Sequence, residues 1–339
     1  MNDLAPPPRR DLPPGRHQVR RAHLLTELAD SGAAPARSPR PRRAAVAVAA
    51  FGLAFGTAVA IAVAPGGSPP AGPSPSATLN VGAVEVLNRA SRAAAATPVL
   101  RPRPDQFFYF ESKQYQYGRT DLRRAWFSVD GSRAGLIRNS ETDDGVWTCA
   151  GNAAWKEREN AAIETGRPLP VDPADAPADC GNGDVRVRGL PSGVAEMRRW
   201  LYRHSNGDNP PDVQAFITVG DTIRERYVEP ETLSVLFAAA AGIPGVTVIR
   251  DVTDLAGRAG IAVGQTWQGV RHELIFDAET YAFLGEREIV DMKGTWRPPG
   301  ASASPGAEDV PGEHGDVLYA AAEIRMAVTD RAGQIPPAK

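Results

Sequence analysis

The sequence predicts an α+β domain: a curved, largely antiparallel, half-barrel-like sheet covered by helices and preceded by one transmembrane helix. Three observations predict it. Residues 44–64, AAVAVAAFGLAFGTAVAIAVA, carry no charge and follow an arginine-rich arm. Downstream, two groups of runs alternate apolar and polar residues between turn signals, the mark of half-buried strands. Between those groups lie stretches whose apolar residues recur at helical spacing. Strands before and after a helical block make an α+β arrangement.

The arm, residues 1–43, holds nine arginines against Asp3, Asp11, Glu27 and Asp30. Its first 15 residues are rich in Pro and Arg, a composition with too little apolar surface to fold. Residues 16–29, RHQVRRAHLLTELA, read as a short amphipathic helix with Val19, Leu24, Leu25 and Leu28 in one stripe. Two readings stand side by side. The stripe binds a cytoplasmic partner or the membrane surface, or the segment is a solvated basic flank that only sets topology.

As a helix, residues 44–64 are long enough to cross the roughly 30 Å hydrocarbon core. A helix also satisfies its backbone polar groups internally, as lipid requires. Arginines precede the span and the uncharged PGGSPPAGPSPSAT follows it. This places the chain in the cell membrane as a single-pass protein, with the N-terminus cytoplasmic and the C-terminal domain outside. The competing reading is a cleaved signal with small-residue sites at 60–62 and 62–64. The long basic region, the long apolar stretch and Pro65 favour a retained anchor. Gly52 and Gly56 form a GxxxG pair through which two such helices can approach closely. A span so rich in Ala, Gly and Val also produces this spacing by chance. Residues 65–77 are a Pro/Gly/Ser linker, extended and without a core.

The outer domain covers 78–332, with a tail at 333–339. A helix is expected over 79–96, with Val81, Val84, Leu87, Ala90 and Ala94 at helical spacing and prolines 98, 102 and 104 ending it. Strands are expected at 106–117, 122–130, 133–139 and 141–147, with Asp130-Gly131 as a turn signal. Residues 166–184 are a Pro/Asp-rich loop. Helices follow at 193–203, 212–227 and 230–241, the last stopped by Gly242 and Pro244. Strands return at 246–250, 260–267, 270–276 and 281–290, separated by turns at 268–269 and 277–280. A Pro/Gly-rich loop over 297–315 leads to a final strand at 318–328.

The chain of 339 residues has a net charge of −2, and the arm's surplus of arginine leaves −7 for the remainder. An acidic outer domain argues against nucleic acid as a partner. The two cysteines, Cys149 and Cys180, both lie in that domain. In an oxidising compartment they read as one disulfide; metal ligation is the alternative, without zinc-type spacing or an intervening His. Nucleophile-elbow, HExxH, P-loop and GxGxxG motifs are missing from the sequence. His204, His272 and His314 are far apart in the chain. No catalytic residue, metal or cofactor is assigned, and the expectation is a protein that is not an enzyme. Asp172, Asp175, Asp179 and Asp184 cluster in the loop, but lack the spacing of a calcium-binding EF-hand. In the run FFYF, alternation sends Phe108 and Phe110 one way and Phe107 and Tyr109 the other. Phe108, Phe110 and Trp126 are the candidate lining of a groove for a lipid or other apolar ligand. Core packing is the competing reading for all three.

DLPPGRHQVRRAHLLTEL in the arm, FFYFESKQ, VWTC, AAAGIPGVTVIRDVTDLAGRAGIAV, RHELIFDAETYAFLGERE and AVTDRAGQIP occur together in this chain. In these stretches it resembles a family of actinobacterial single-pass membrane proteins, often encoded beside sigma factors and without assigned catalytic residues. LIFDAETYAFLGERE is also similar to the sheet repeats of the LolA/RseB-like fold of lipoprotein carriers and periplasmic regulators. The resemblance implies a half-open antiparallel sheet capped by helices and a cytoplasmic sigma factor or other regulator as the arm's partner. The expected function is that of a membrane-anchored envelope protein whose outer domain binds an apolar ligand or a protein. The alternative is lipid or lipoprotein handling without a signalling role.

Overall fold

Alternating β-branched and aromatic residues commit nine segments to strands. They are β1 (Phe107–Gln116), β2 (Arg119–Ser128), β3 (Gly135–Asn139), β4 (Gly145–Thr148), β5 (Thr247–Thr253), β6 (Ala259–Trp267), β7 (Val270–Asp277), β8 (Phe283–Val290) and β9 (Val317–Thr329). Five helices accompany them: α1 (Val81–Ala95), α2 (Ala153–Thr165), α3 (Val194–Arg203), α4 (Pro211–Ile223) and α5 (Pro230–Ala240). The structure, a computed structural model, describes residues 79–337 apart from 117, 140–144, 150–151, 166–175, 184, 206–208 and 295–311. The arm, the apolar span and the linker therefore lie outside the described residues.

The strands form one antiparallel sheet in the order β4-β3-β2-β1-β9-β8-β7-β6-β5. Two meanders, β1–β4 and β5–β8, run outward from the middle. The last strand in sequence, β9, lies between β1 and β8 and pairs with both. Each end strand has one strand neighbour among the described residues, so the sheet is open. Bulges interrupt the β1–β9, β5–β6, β7–β8 and β8–β9 ladders, and a bulge bends a strand and sharpens its twist.

On one face, α1, α3, α4 and α5 cover β5–β8. Their core joins Leu87, Leu201, Phe216, Leu236 and Phe237 from the helices to Ile261, Val263, Leu274 and Phe276 from the sheet. Phe237 meets Phe276 edge-on at 5.2 Å between ring centres. In α1 the buried stripe is Ala83, Val86, Leu87, Ala90 and Ala94. This corrects the expected one: Val81 points outward, 82% exposed, and Val84 is half-buried. The helix starts where Asn80 Oδ1 accepts the Ala83 N–H at 3.0 Å, an N-cap that satisfies one of the free N–H groups of the first turn.

The expected helix at 212–227 stops at Ile223. Arg224 leaves helical geometry with ψ 117°, and Glu225 takes a left-handed φ of 48°. The chain then runs extended, and Tyr227 pairs in parallel with Arg186.

The opposite face of β1–β4 is covered by α2, the segment holding Cys180, and the C-terminal tail. Phe107, Tyr109, Trp126, Leu136 and Trp147 pack there with Trp155 and Ala332. The sequence reading assigned no helix at 153–165. AAWKERENAAIET shows little apolar stripe, and its start is set by Asn152, whose Oδ1 accepts the Trp155 N–H at 2.9 Å. On the same face of the other meander, Glu273 is 1% exposed and accepts from Arg271 Nε at 2.7 Å and Arg287 Nε at 2.6 Å.

Gly285 sits in the β8–β9 junction with φ +151°, and a Cβ there would overlap the carbonyl oxygen of Ala321. Gly285→Ala is expected to cost more than about 2 kcal/mol and to lower the urea midpoint. An unchanged midpoint would show that the central junction tolerates separation.

Candidate functional site

Val19, Leu24, Leu25, Leu28, Gly52 and Gly56 lie outside the described residues. Of the four loop acids, only Asp179 lies among them. Cys149 and Cys180 are disulfide-bonded with Cα atoms 5.0 Å apart and a sequence separation of 31. Closing a loop of that length stabilises the fold by about 3–4 kcal/mol in the chain-entropy model. The bond joins the end of β4 to the segment after α2 and so holds α2 against Trp147.

Phe108, Phe110 and Trp126 do not share a surface. Tyr109 pairs with Trp126 and Phe108 with Phe127. Directly paired residues share a face, so Trp126 goes with Tyr109 while Phe108 and Phe110 take the helix-covered side. All three are buried, at 0%, 6% and 1% exposure in that order. Phe108 stacks on Tyr227 at 4.9 Å, and Trp126 Nε1 donates to the Gln334 carbonyl at 2.7 Å. The proposed groove wall is corrected to two separate pieces of core.

The helix-covered face carries two apolar clusters, one over β5–β8 and one around Phe108, Phe110, Ala125, Ile137 and Tyr227. Between them runs a polar seam. Pairing register places Ser112 opposite Arg123 and Glu323, and Glu288 opposite Tyr319 and His272. Glu286 stands opposite Ala321 on β9 and Leu274 on β7. The end of α4 descends onto this row. Because the helix unwinds at Arg224 and Glu225 turns left-handed, both side chains reach the sheet. Arg123 Nη2 donates to Glu225 Oε2 at 2.9 Å, with a second bond from Nε to Oε1. Arg224 Nε donates to Glu286, and its Nη1 lies 3.5 Å from Asp221. His272 Nδ1 lies 3.2 Å from Glu288.

A cavity of about 30 Å³ opens in the seam, room for one or two waters. Ser112, Gln114, Arg224, Glu225, Glu286 and Glu323 line it, together with small or apolar neighbours. Burial raises the Glu323 carboxyl to about 8, helped by the charges of Glu286 and Glu225 and opposed by Arg258. Burial also raises Asp221, with Glu286 and Glu288 adding to it and Arg224 and His272 opposing. Burial opposes the charge on Arg123 and Arg224, yet Glu225 and Glu286 respectively raise both above the ordinary guanidinium value. Burial likewise pushes the Tyr319 phenol up.

Clustered groups with shifted ionisation are the usual mark of a functional site, though structural ion-pair networks share it. Among the described residues no group of three or more His, Cys, Asp or Glu has the geometry to hold a metal ion. What the seam offers chemically is proton binding and charge pairing. Its members come from β1, β2, β7, β8, β9 and the end of α4, so no local motif announces them. The one signal in the sequence is charge at inward positions of β9 and β8.

No protein-family model matches the chain, and no curated protein matches it. Among solved structures the chain is similar to the crystal structure of MucB, at 12% identity and a TM-score of 0.26. That match covers 76% of this chain and 61% of the other. It is also similar to the complex structure of Pseudomonas aeruginosa MucA/MucB, at 12% identity and a TM-score of 0.27. There it covers 76% of this chain and 59% of the other. The chain thus spans about three fifths of the length of the structures it matches. Superposition this loose fixes neither a site nor a partner for this chain.

Arg123 has a side chain only 9% exposed. Arg123→Met strands Glu225 and is expected to cost about 3–5 kcal/mol. Adding Glu225→Gln is expected to recover a large part of that loss in a urea double-mutant cycle. Additive losses would mean that the two side chains act independently.

Proposed function

We propose that this chain is a membrane-anchored, non-enzymatic protein whose outer domain recognises a protein partner through its surface. One observation favours a protein over a lipid: the space between sheet and helices is filled. The cavity there holds about 30 Å³, whereas a pocket for a lipid-sized ligand needs several hundred Å³. The larger recess, about 290 Å³, is open and lies around Arg186, Arg188, Glu229 and Thr232. Such a lining suits polar contact. Lipid handling would require the helices to lift from the sheet.

Location rests on the sequence. The uncharged span at 44–64 behind nine arginines supports an anchor with residues 1–43 inside and 78–332 outside. In the arm, Val19, Leu24, Leu25 and Leu28 give an apolar stripe of the kind that docks into a groove. The family resemblance makes a cytoplasmic sigma factor, or a regulator of one, the partner to test first.

Protease added to intact cells is expected to digest the outer domain and leave the arm protected, and inside-out vesicles are expected to reverse the pattern. A shielded outer domain, or an arm already missing, overturns the topology. In the full-length chain, Leu24→Asp with Leu25→Asp is expected to abolish co-purification of a sigma factor or its regulator without releasing the protein from the membrane. Co-purification that survives both substitutions removes the stripe from the proposal.

A further inference from the structure

After β9 the chain turns back over the face of the sheet that carries Tyr109 and Trp126. Gly333 takes a left-handed φ of 80°, and the Gln334 N–H donates to the Arg331 carbonyl at 3.3 Å. Residues 334–337, QIPP, follow as a strap. Main-chain carbonyls hold it. Trp126 Nε1 on β2 donates to that of Gln334 at 2.7 Å. Arg325 Nη1 on β9 donates to those of Pro336 at 3.1 Å and Pro337 at 3.0 Å. Glu111 on β1 steadies the guanidinium, its Oε2 3.1 Å from Arg325 Nη2. Tyr109 joins the two donors: its ring centre lies 5.2 Å from that of Trp126 and 5.2 Å from Arg325 Cζ.

The side chains of the strap take little part in this grip. Ile335 is 55% exposed, and Gln334 and Pro337 are exposed too, while Trp126 beneath them is 1% exposed. The Gln334 side chain turns back to accept the Asp330 N–H at 3.0 Å. Donors aimed at carbonyls i, i+2 and i+3 read the path of a backbone. Proline suits that path, because its ring fixes φ and it has no N–H to satisfy. Adjacent prolines favour polyproline II, and the residue before a proline is driven to extended geometry. Glu111 neutralises Arg325, so a carbonyl fits there better than a second carboxylate.

We propose that Trp126, Tyr109 and Arg325 form a docking groove for a proline-containing extended segment of a partner protein, and that residues 334–337 occupy it as a displaceable competitor.

This groove deepens the partner-binding reading of the outer domain, on which it rests. Aromatic-lined grooves take proline-rich segments through the same features. A partner segment gains the carbonyl bonds that the strap gives up. Ala332, 8% exposed and packed with Phe107 and Trp126, holds the turn in place during the exchange. A tethered strap acts at an effective concentration of order millimolar. The partner must therefore bind more tightly than the strap or add contacts outside the groove, which excludes weak proline segments.

The test uses the full-length chain in detergent and a fluorescent peptide, GQIPPAK, the sequence of residues 333–339. Pro336→Gly with Pro337→Gly loosens the strap and is expected to raise affinity for the peptide by about tenfold or more over wild type. Adding Arg325→Met is expected to lower it by about tenfold, for the lost hydrogen bonds. The peptide GQIGGAK is expected to bind more weakly throughout. No binding to the loosened variant, or binding indifferent to Arg325→Met, overturns the groove. Hydrogen exchange of the Trp126 indole N–H in the wild type reads the strap without any variant. Exchange much faster than that of the β1 and β2 amides, slowed by added peptide, supports displacement. Exchange as slow as those amides shows a fixed strap and defeats the proposal. Either failure removes the groove and not the partner, whose binding elsewhere on the outer domain is read separately by cross-linking of the wild type in intact cells.

Discussion

The insertion of β9 between β1 and β8 is the constraint on which the rest depends. Without it the chain holds two meanders, each with its own apolar cluster and no shared ladder. With it they become one sheet, through registers that run from Phe107–Thr329 to Gln116–Tyr319 on one side and from Gly285–Ala322 to Ile289–Val317 on the other. The joining strand is the last of the nine described strands in sequence, and its pairing of Thr329 with Phe107 spans 222 residues. Non-local pairing of this kind forms slowly, because loop closure must precede the contacts that stabilise it.

Polar groups concentrate where the two meanders meet. The seam places charged side chains under a helix end, where apolar residues would pack with less desolvation. Most members are neutralised in pairs, and the pairing depends on backbone geometry. Glu225 reaches Arg123 only because its own residue adopts a left-handed φ, an uncommon state for a side chain of that kind. Strained backbone is retained where surrounding contacts over-determine it; here Arg123 supplies the contact and the Tyr227–Arg186 bridge fixes the chain beyond. The helix thus ends where its charged residues are needed, even though apolar residues recur at Ile223, Tyr227 and Val228.

That recurrence is why the sequence over-extends α4: periodicity reports burial, and Tyr227 and Val228 are buried without being helical. Strands and most helices were legible because alternation and caps are local. The helix α2 was not, since its order comes from Asn152, the Cys149–Cys180 bond and Trp155 on the far face, not from a stripe. The disulfide was legible from the count of two cysteines and the compartment the sequence leads one to expect. Phe108, Phe110 and Trp126 were recognised as important apolar residues, but their separation onto two faces needed the β1–β2 register. The seam was illegible for the same reason: alternation says that Glu323 and Glu286 point to a face, and only the strand order says that they point to the same one.

The two ends of the sheet have a consequence for neighbouring copies. At one end β4 has four residues. At the other, β5 is interrupted between Ile249 and Val252, with Arg250 and Asp251 exposed at the irregularity and Asp251 left-handed. A short strand and a kinked, charged one are both poor templates for adding another strand. An open sheet invites copies to add strand to strand and zip into a ribbon. Blunt margins at both ends of the sheet disfavour that edge-to-edge pairing.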